Sequence, residues 1–238
     1  MVIPRPTVRI LDAEQGIVAA TPKADSVLLV GHAPTRSLAA TLLRDAERNG
    51  DPWEVWGCNT LSASFPVTPT RWFQLHPVDV LPPDELGTLH AITVPTYTVH
   101  KSLDHVLATL PHAVRYPIES VLSMPGVVPF FACTFAYQIA LAVLAGFKRI
   151  ALVGVELQMG SARERLVEHA STAYWIGYAA GRGVSVEFLP GTTLQYPFLY
   201  GLDYWREKHW VEGAVDALMM EMMAETFADV IRMRRRER

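Results

Sequence analysis

The sequence predicts an α/β fold: a mostly parallel, Rossmann-like sheet with helices on both faces, extended at the carboxyl end by a further helix. The first observation behind this is a set of short, mostly apolar runs, SVLLV before Gly31, WEVWGC at 53–58, RWFQL at 71–75, AITV at 91–94, RIALVGV at 149–155 and VSVEFL at 184–189, of which only the last alternates with polar residues. Strands buried on both faces read this way, whereas a half-exposed antiparallel strand alternates. The second is that segments of helical potential lie between the runs, the order that makes successive strands parallel. The third is size: 238 residues, 50% of them apolar, can bury one substantial core, so one domain with extensions is the better prior than two. The expected division is an amino-terminal extension at 1–25, a central domain at 26–200 and a carboxyl-terminal helical extension at 201–238.

Taken in order, residues 7–11 and 15–20 suit a hairpin. The run 26–31 ends in glycine and leads through His32 and Pro34 into a helix reaching Arg48. The clearest helix is 134–145, apolar on nearly every side, with Pro129 before it and Gly146 after it, and it should be buried. A second helix fits 172–180, closed by Gly181 and Gly183. A third occupies 211–233, where Met219, Met220, Met222 and Met223 leave excess apolar surface for packing, a homo-oligomer contact or a membrane surface. Pro82, Pro83 and Pro125 to Pro129 mark loops.

Composition excludes several classes. A formal charge of −3 with acids and bases interleaved provides no footprint for nucleic acid. The arginines at 232, 234, 235, 236 and 238 read as a solvated end. Cys58 and Cys133 lack the spacing of a zinc site or a disulfide framework, which fits a reducing cytoplasm, and no run has the length of a membrane span. A soluble cytoplasmic protein is expected, with no metal site and no cofactor.

Polar residues collect at the ends of the expected strands. Gly31 lets the chain turn closely, and the helix after Thr35 presents unpaired N–H groups and a positive dipole end, a setting for phosphate. The loop matches no standard phosphate-binding motif, so an ordinary turn capped by Thr35 is the alternative. Asn59 ends the second run and can donate and accept toward a base, ribose or sugar; turn formation is its plainer use. Gln74 and His76 end the third. Thr134 opens the buried helix, where a hydroxyl can cap or meet an anion. Glu156 follows the run 149–155. His169 can be neutral near pH 7 and take the proton of an attacking hydroxyl, and Arg163 and Arg165 could neutralise a departing phosphate; a surface helix of mixed charge is the alternative.

These residues resemble a family, the bacterial sialyltransferases that use CMP-sialic acid, together with the related motility-accessory-factor glycosyltransferases and 6-hydroxymethylpterin diphosphokinase-like proteins. The stretch 31–35 resembles the opening GNGPSL, Cys58 and Asn59 the pair ending the second strand, and His76 with Pro77 an Asn-Pro. TFAYQIALAVLAGFKRIALVGV at 134–155 is similar to the family's Ser/Thr-led helix, turn and strand, His169 to Ser171 to its catalytic His-Ser segment, and 189–194 to its closing Pro-Asn-Ser-Leu. The resemblance runs from about residue 27 to 195. It implies that His32, Asn59 and Thr134 contact the nucleotide or its sugar, CMP-linked in the family; the reading of the residues themselves adds Gly31, Thr35, Glu156, Arg163 and Arg165 to the expected donor-binding set, with Gln74 and His76 as donor or acceptor contacts. The resemblance implies His169 as general base in a metal-independent direct displacement onto a hydroxyl of a glycan or other acceptor. Between Glu156 and His169 this chain has a short segment with arginines where the family has a longer lid with tyrosines. Ala33 stands for a loop glycine and His32 for an asparagine, which leaves the donor open. A diphosphokinase-like nucleotide-dependent transferase and a non-catalytic assembly protein are the competing readings; the former needs clustered carboxylates for Mg²⁺.

Overall fold

The computed structural model describes residues 9–11, 17–19, 22–60, 65–99, 106–107, 109–158, 160–189, 192 and 194. The expected helix at 211–233 lies outside the described residues. Two short strands, β1 (Arg9–Leu11) and β2 (Ile17–Ala19), pair antiparallel as a sheet of their own. The hairpin expected there is present.

The remaining strands are β3 (Ser26–Val30), β4 (Trp53–Cys58), β5 (Arg71–Phe73), β6 (Thr96–Thr98), β7 (Ala113–Arg115), β8 (Arg149–Val153) and β9 (Ser185–Phe188). They form one sheet in the order β7-β6-β5-β4-β3-β8-β9, and every pairing in it is parallel. The chain builds outward from β3 to β7, then returns to the other side of β3 to lay down β8 and β9. The order reverses between β3 and β8, and in open sheets of this kind the crevice forms beyond the carboxyl ends of those strands.

Successive side chains of a strand point to opposite faces, and β3 shows the result. Val27 and Leu29 join a core with helices α4 (Thr134–Ala145) and α5 (Ala162–Gly181), while Leu28 and Val30 join a second core with α1 (Ala39–Arg48) and α2 (Pro83–His90). The short helix α3 (Ile118–Leu122) precedes the loop into α4. Helix α4 begins and ends where its sequence implies, with Gly146 in the left-handed region (φ 85°) closing it. Helix α5 starts ten residues before the expected 172. Ser161 and Glu164 form a reciprocal capping box, a Ser-x-x-Glu signal that outweighs the mixed charge of the next two turns.

One expected strand is corrected. Residues 91–94 do not pair: Ala91 caps α2, and Ile92 N–H donates to the Leu89 carbonyl, so this apolar run is the exit of a helix. The strand follows Pro95, whose carbonyl accepts from Trp72 N–H. β7 and α3 have no forerunner in the sequence reading.

At the amino-terminal end of β4 and β5 a buried ion pair ties the strands. Arg71 donates to Glu54 through Nε at 2.8 Å and Nη2 at 3.2 Å, and its Nη1 donates to Tyr97 Oη at 2.9 Å. Trp56 Nε1 and the Lys23 N–H complete the shell around the carboxylate. Burial, the largest influence on Glu54, pushes its pKa up, but the hydrogen bonds and charge of Arg71 outweigh it and the net direction is down. A depressed carboxylate contributes stability at neutral pH that is lost as pH falls through its folded pKa. Arg71→Met should cost about 3–5 kcal/mol near neutrality, because it leaves Glu54 charged, buried and unpaired. The difference from wild type should shrink in acid, where Glu54 is protonated in the variant. Urea unfolding of both proteins at neutral and acidic pH measures this.

Candidate functional site

Two glycines meet at the switch point. Gly31 N–H donates to the Val153 carbonyl and Ala33 N–H to the Gly154 carbonyl, at 2.8 and 3.0 Å. A Cβ on Gly31 would lie 2.2 Å from the Gly154 carbonyl oxygen, and one on Gly154, itself at φ 66°, would lie 2.8 Å from Arg36 Cβ. The loops after β3 and β8 can approach this closely because neither residue carries a side chain. Beyond them opens a cleft of about 640 Å³, within the ~300–1,000 Å³ usual for small-molecule sites.

Six of the expected residues line it: His32, Asn59, Gln74, His76, Thr134 and Glu156. Each follows a strand or opens a helix, so the topology alone brings them together. His32 lies in the loop after β3; burial lowers its pKa, opposed by a hydrogen bond to the Cys58 backbone. Arg36 Nη1 donates to the His32 carbonyl and holds the loop. Asn59 adopts the left-handed region (φ 53°), which asparagine tolerates, with its N–H on the Phe73 carbonyl and its carbonyl accepting from Trp72 Nε1. Gln74, 1% exposed, donates from Nε2 to the His76 carbonyl. Thr134 is the first helical residue of α4 and the cap position belongs to Cys133, so Thr134 does not cap as expected.

His32 Nε2, Asn59 Oδ1 and Gln74 Oε1 are buried with no partner among the described residues. An unpaired buried polar atom costs about 1–3 kcal/mol, so three at one cleft point to groups that bind there.

Gly31, Thr35, Arg163, Arg165 and His169 are not among the lining residues. Gly31 lies beneath the floor. Thr35 falls inside a 3-10 turn, Pro34–Leu38, that precedes α1, and its hydroxyl is buried without a partner, so it caps nothing. Arg163 is exposed on the first turn of α5. Arg165 Nη1 donates to the Gly160 carbonyl at 2.9 Å, bracing the turn before the helix. His169 is half-buried one helical turn further on; burial is the main cause of its lowered pKa, opposed by a hydrogen bond to the Leu157 backbone. Leu157, itself at φ 50°, lines the cleft, so His169 stands directly behind that wall.

Sequence reasoning missed Glu168, which lines the cleft one residue before His169 and whose pKa is raised, first by burial and then by Glu164. It also missed the loop before α4. Ser171 Oγ donates to the Phe130 carbonyl and accepts from Ala132 N–H, both at 3.0 Å; Trp175 Nε1 donates to Phe130 at 2.9 Å, and Tyr178 Oη donates to Pro125. These bonds from α5 set Phe131, Ala132 and Cys133 into the cleft wall. The serine, tyrosine and tryptophan at helical spacing were the available signal. Burial pushes the Cys133 thiol up, and it sits 3.0 Å from Thr172 Oγ1. Among the described residues no group of three or more His, Cys, Asp or Glu is placed to hold a metal ion, and no helix is long and apolar enough to cross a membrane.

The fold is similar to that of the monofunctional α-2,3-sialyltransferase Cst-I from Campylobacter jejuni, at a TM-score of 0.50 and 10% identity, covering 83% of this chain and 98% of that one. Two structures of the sialyltransferase CstII from the same organism are also similar. The one in complex with CMP has a TM-score of 0.46 and the one with CMP-3FNeuAc 0.48, each at 12% identity over 71% of this chain and over 81% and 83% of theirs. The chain thus has a sialyltransferase-like α/β fold. No family model matches the sequence, and comparison with curated proteins yields no match.

The glycine contact gives a direct test. Gly31→Ala should lower stability by about 1–3 kcal/mol by forcing the two loops apart. Gly177→Ala, on α5 with nothing within 4 Å of the added carbon, should be neutral or stabilising by up to about 1 kcal/mol. Calorimetric Tm values of the two variants provide the comparison.

Proposed function

We propose that this protein is a glycosyltransferase that moves a sugar from a nucleotide-sugar donor to an acceptor hydroxyl by direct displacement, with His169 as general base. The observation that carries the reading is the cleft at the sheet's switch point, walled by the amino-terminal end of α4 and backed by His169. A hydrogen bond from one ring nitrogen to a backbone carbonyl is what fixes an imidazole's tautomer for base catalysis, and burial favours the neutral ring that can accept a proton. The fold likeness to an α-2,3-sialyltransferase supports the same reading.

In the reaction, His169 takes the acceptor proton, the oxygen attacks the anomeric carbon, and the bond to the nucleotide phosphate breaks with its electrons going to the phosphate. For this step the Leu157 wall, to whose backbone His169 is hydrogen-bonded, has to yield so that the ring meets the acceptor beside Glu168. The departing phosphate faces the amino terminus of α4 at Cys133 and Thr134, where the helix dipole favours negative charge. Arg165 assists by holding the turn at Gly160, and Arg163 adds positive charge from the same end of α5. Glu156 and His76 border the sugar.

His169→Ala should lower turnover by roughly 10²–10⁴-fold with nucleotide affinity nearly unchanged. Because the folded pKa lies below the ordinary histidine value, the wild-type rate should rise with pH and level off on the acid side of that value, and the variant should lack this limb. A wild-type rate and pH profile in the variant would sink the base assignment. A thermal-shift screen with CMP, UDP, GDP, TDP and ATP, with and without Mg²⁺, should show one nucleotide raising the Tm equally in EDTA. Loss of that shift on chelation would favour the diphosphokinase-like reading.

A further inference from the structure

One wall of the cleft carries a polar row that the displacement step does not use. His32, Asn59 and Gln74 follow β3, β4 and β5, three neighbours in the sheet. Adjacent strands lie ~4.8 Å apart, so the row is about 10 Å long.

Each residue of the row holds one buried atom without a partner among the described residues, and all three of these atoms can accept. Gln74 Nε2 is committed to the His76 carbonyl, which leaves Oε1, an acceptor. Asn59 Oδ1 is an acceptor as well. The His32 ring is bonded to the Cys58 backbone, and Nε2 is the nitrogen left without a partner; in the neutral ring that burial favours, it carries a lone pair. Three buried acceptors call for three donors. A nucleobase edge mixes donors with acceptors, and a ribose diol reaches two positions at most. The hydroxyls of a hexose each rotate to donate and are spread around a ring.

Charge points the same way. Glu85, Glu156 and Glu168 line the cleft, and no lysine or arginine is among the described residues that do. A carboxylate on the transferred sugar would face acceptors and acids with no cation to offset it, whereas hydroxyls are satisfied by both. On the footing of the nucleotide-sugar reading, we infer that the transferred sugar is neutral and polyhydroxylated, its hydroxyls donating to His32 Nε2, Asn59 Oδ1 and Gln74 Oε1, and that sugar acids are discriminated against.

The test compares UDP-glucose with UDP-glucuronate, which differ by one carboxylate, alongside GDP-mannose, CMP-N-acetylneuraminate and bare UDP, GDP and CMP, by calorimetric titration. Saturation-transfer NMR with methyl glucoside and glucuronate, without nucleotide, runs in parallel. A neutral sugar nucleotide should bind about 10-fold more tightly than its bare nucleotide, and the acidic ones should gain nothing. Asn59→Gly suits the left-handed backbone and removes one acceptor, so it should cancel that gain, read as the ratio of sugar-nucleotide to bare-nucleotide affinity on the same variant. Asn59→Asp keeps an acceptor and should retain the gain. Bare-nucleotide binding with a gain for the acidic sugars, or with a gain that Asn59→Gly does not touch because ordered water satisfies the row, overturns the inference and leaves the nucleotide reading standing. Saturation transfer to the glucoside alone, with no nucleotide bound, removes the nucleotide reading and keeps the neutral-sugar row. Silence in both arms overturns both.

Discussion

The carbonyl of Gly154 occupies the space in which a side chain at position 31 would begin. That contact forces the loops after β3 and β8 together where the strand order reverses, and the five-residue parallel register between the two strands holds it in place from below. A crevice beyond adjacent strands needs loops that leave in opposite directions from a common floor, and a floor this tight admits only backbone. His32 and Pro34 on one side, and Glu156 to Gln158 on the other, take their positions from it. With any side chain at either glycine the loops would separate and the polar residues they carry would lose their shared surface.

The two helices on one face of the sheet divide the remaining work. α4 is apolar on almost every side and nearly wholly buried, so its axis is fixed by packing and its amino terminus arrives at the cleft as a consequence. α5 is amphipathic in a less regular way. Its second half stitches the loop before α4 through Ser171, Trp175 and Tyr178, and its first half braces the turn after β8 through Arg165 and His169. One element therefore positions both flanks of the cleft. The cleft wall is left with unsatisfied acceptors, a departure from the usual pairing of buried polar groups that fits a binding surface better than a core.

Much of this is visible in the sequence, and the exceptions have physical causes. Apolar runs ending in Gly31, Asn59 and Gln74 mark strands because strands buried on both faces have no polar side to show, and a parallel sheet gathers their carboxyl ends without further information. The run at 91–94 misleads because periodicity alone does not separate a short buried strand from the apolar exit of a helix. β7 is three residues long and half-buried, below what a pattern can register. Thr134 and Thr35 look like caps because hydroxyls favour such positions, yet Cys133 takes one cap and Thr35 falls inside a 3-10 turn with its hydroxyl buried. Glu168 escapes because it sits in a run of mixed charge; only the start of α5 at Ser161 turns that residue toward the cleft.

The 20-residue length of α5 has an evolutionary consequence. Trp175 and Ala179 are sealed in the core, while Arg163, Glu164, Leu166 and Val167 face outward near the cleft. A substitution at Glu168, in the second turn, changes the cleft lining without touching the sheet, whereas in the last two turns Trp175 and Ala179 cannot change without loss of packing, and only exposed positions such as Gly177 are open to change. Divergence in what the cleft accepts would therefore need change at only one end of a single helix, while the buried residues at its other end keep the fold.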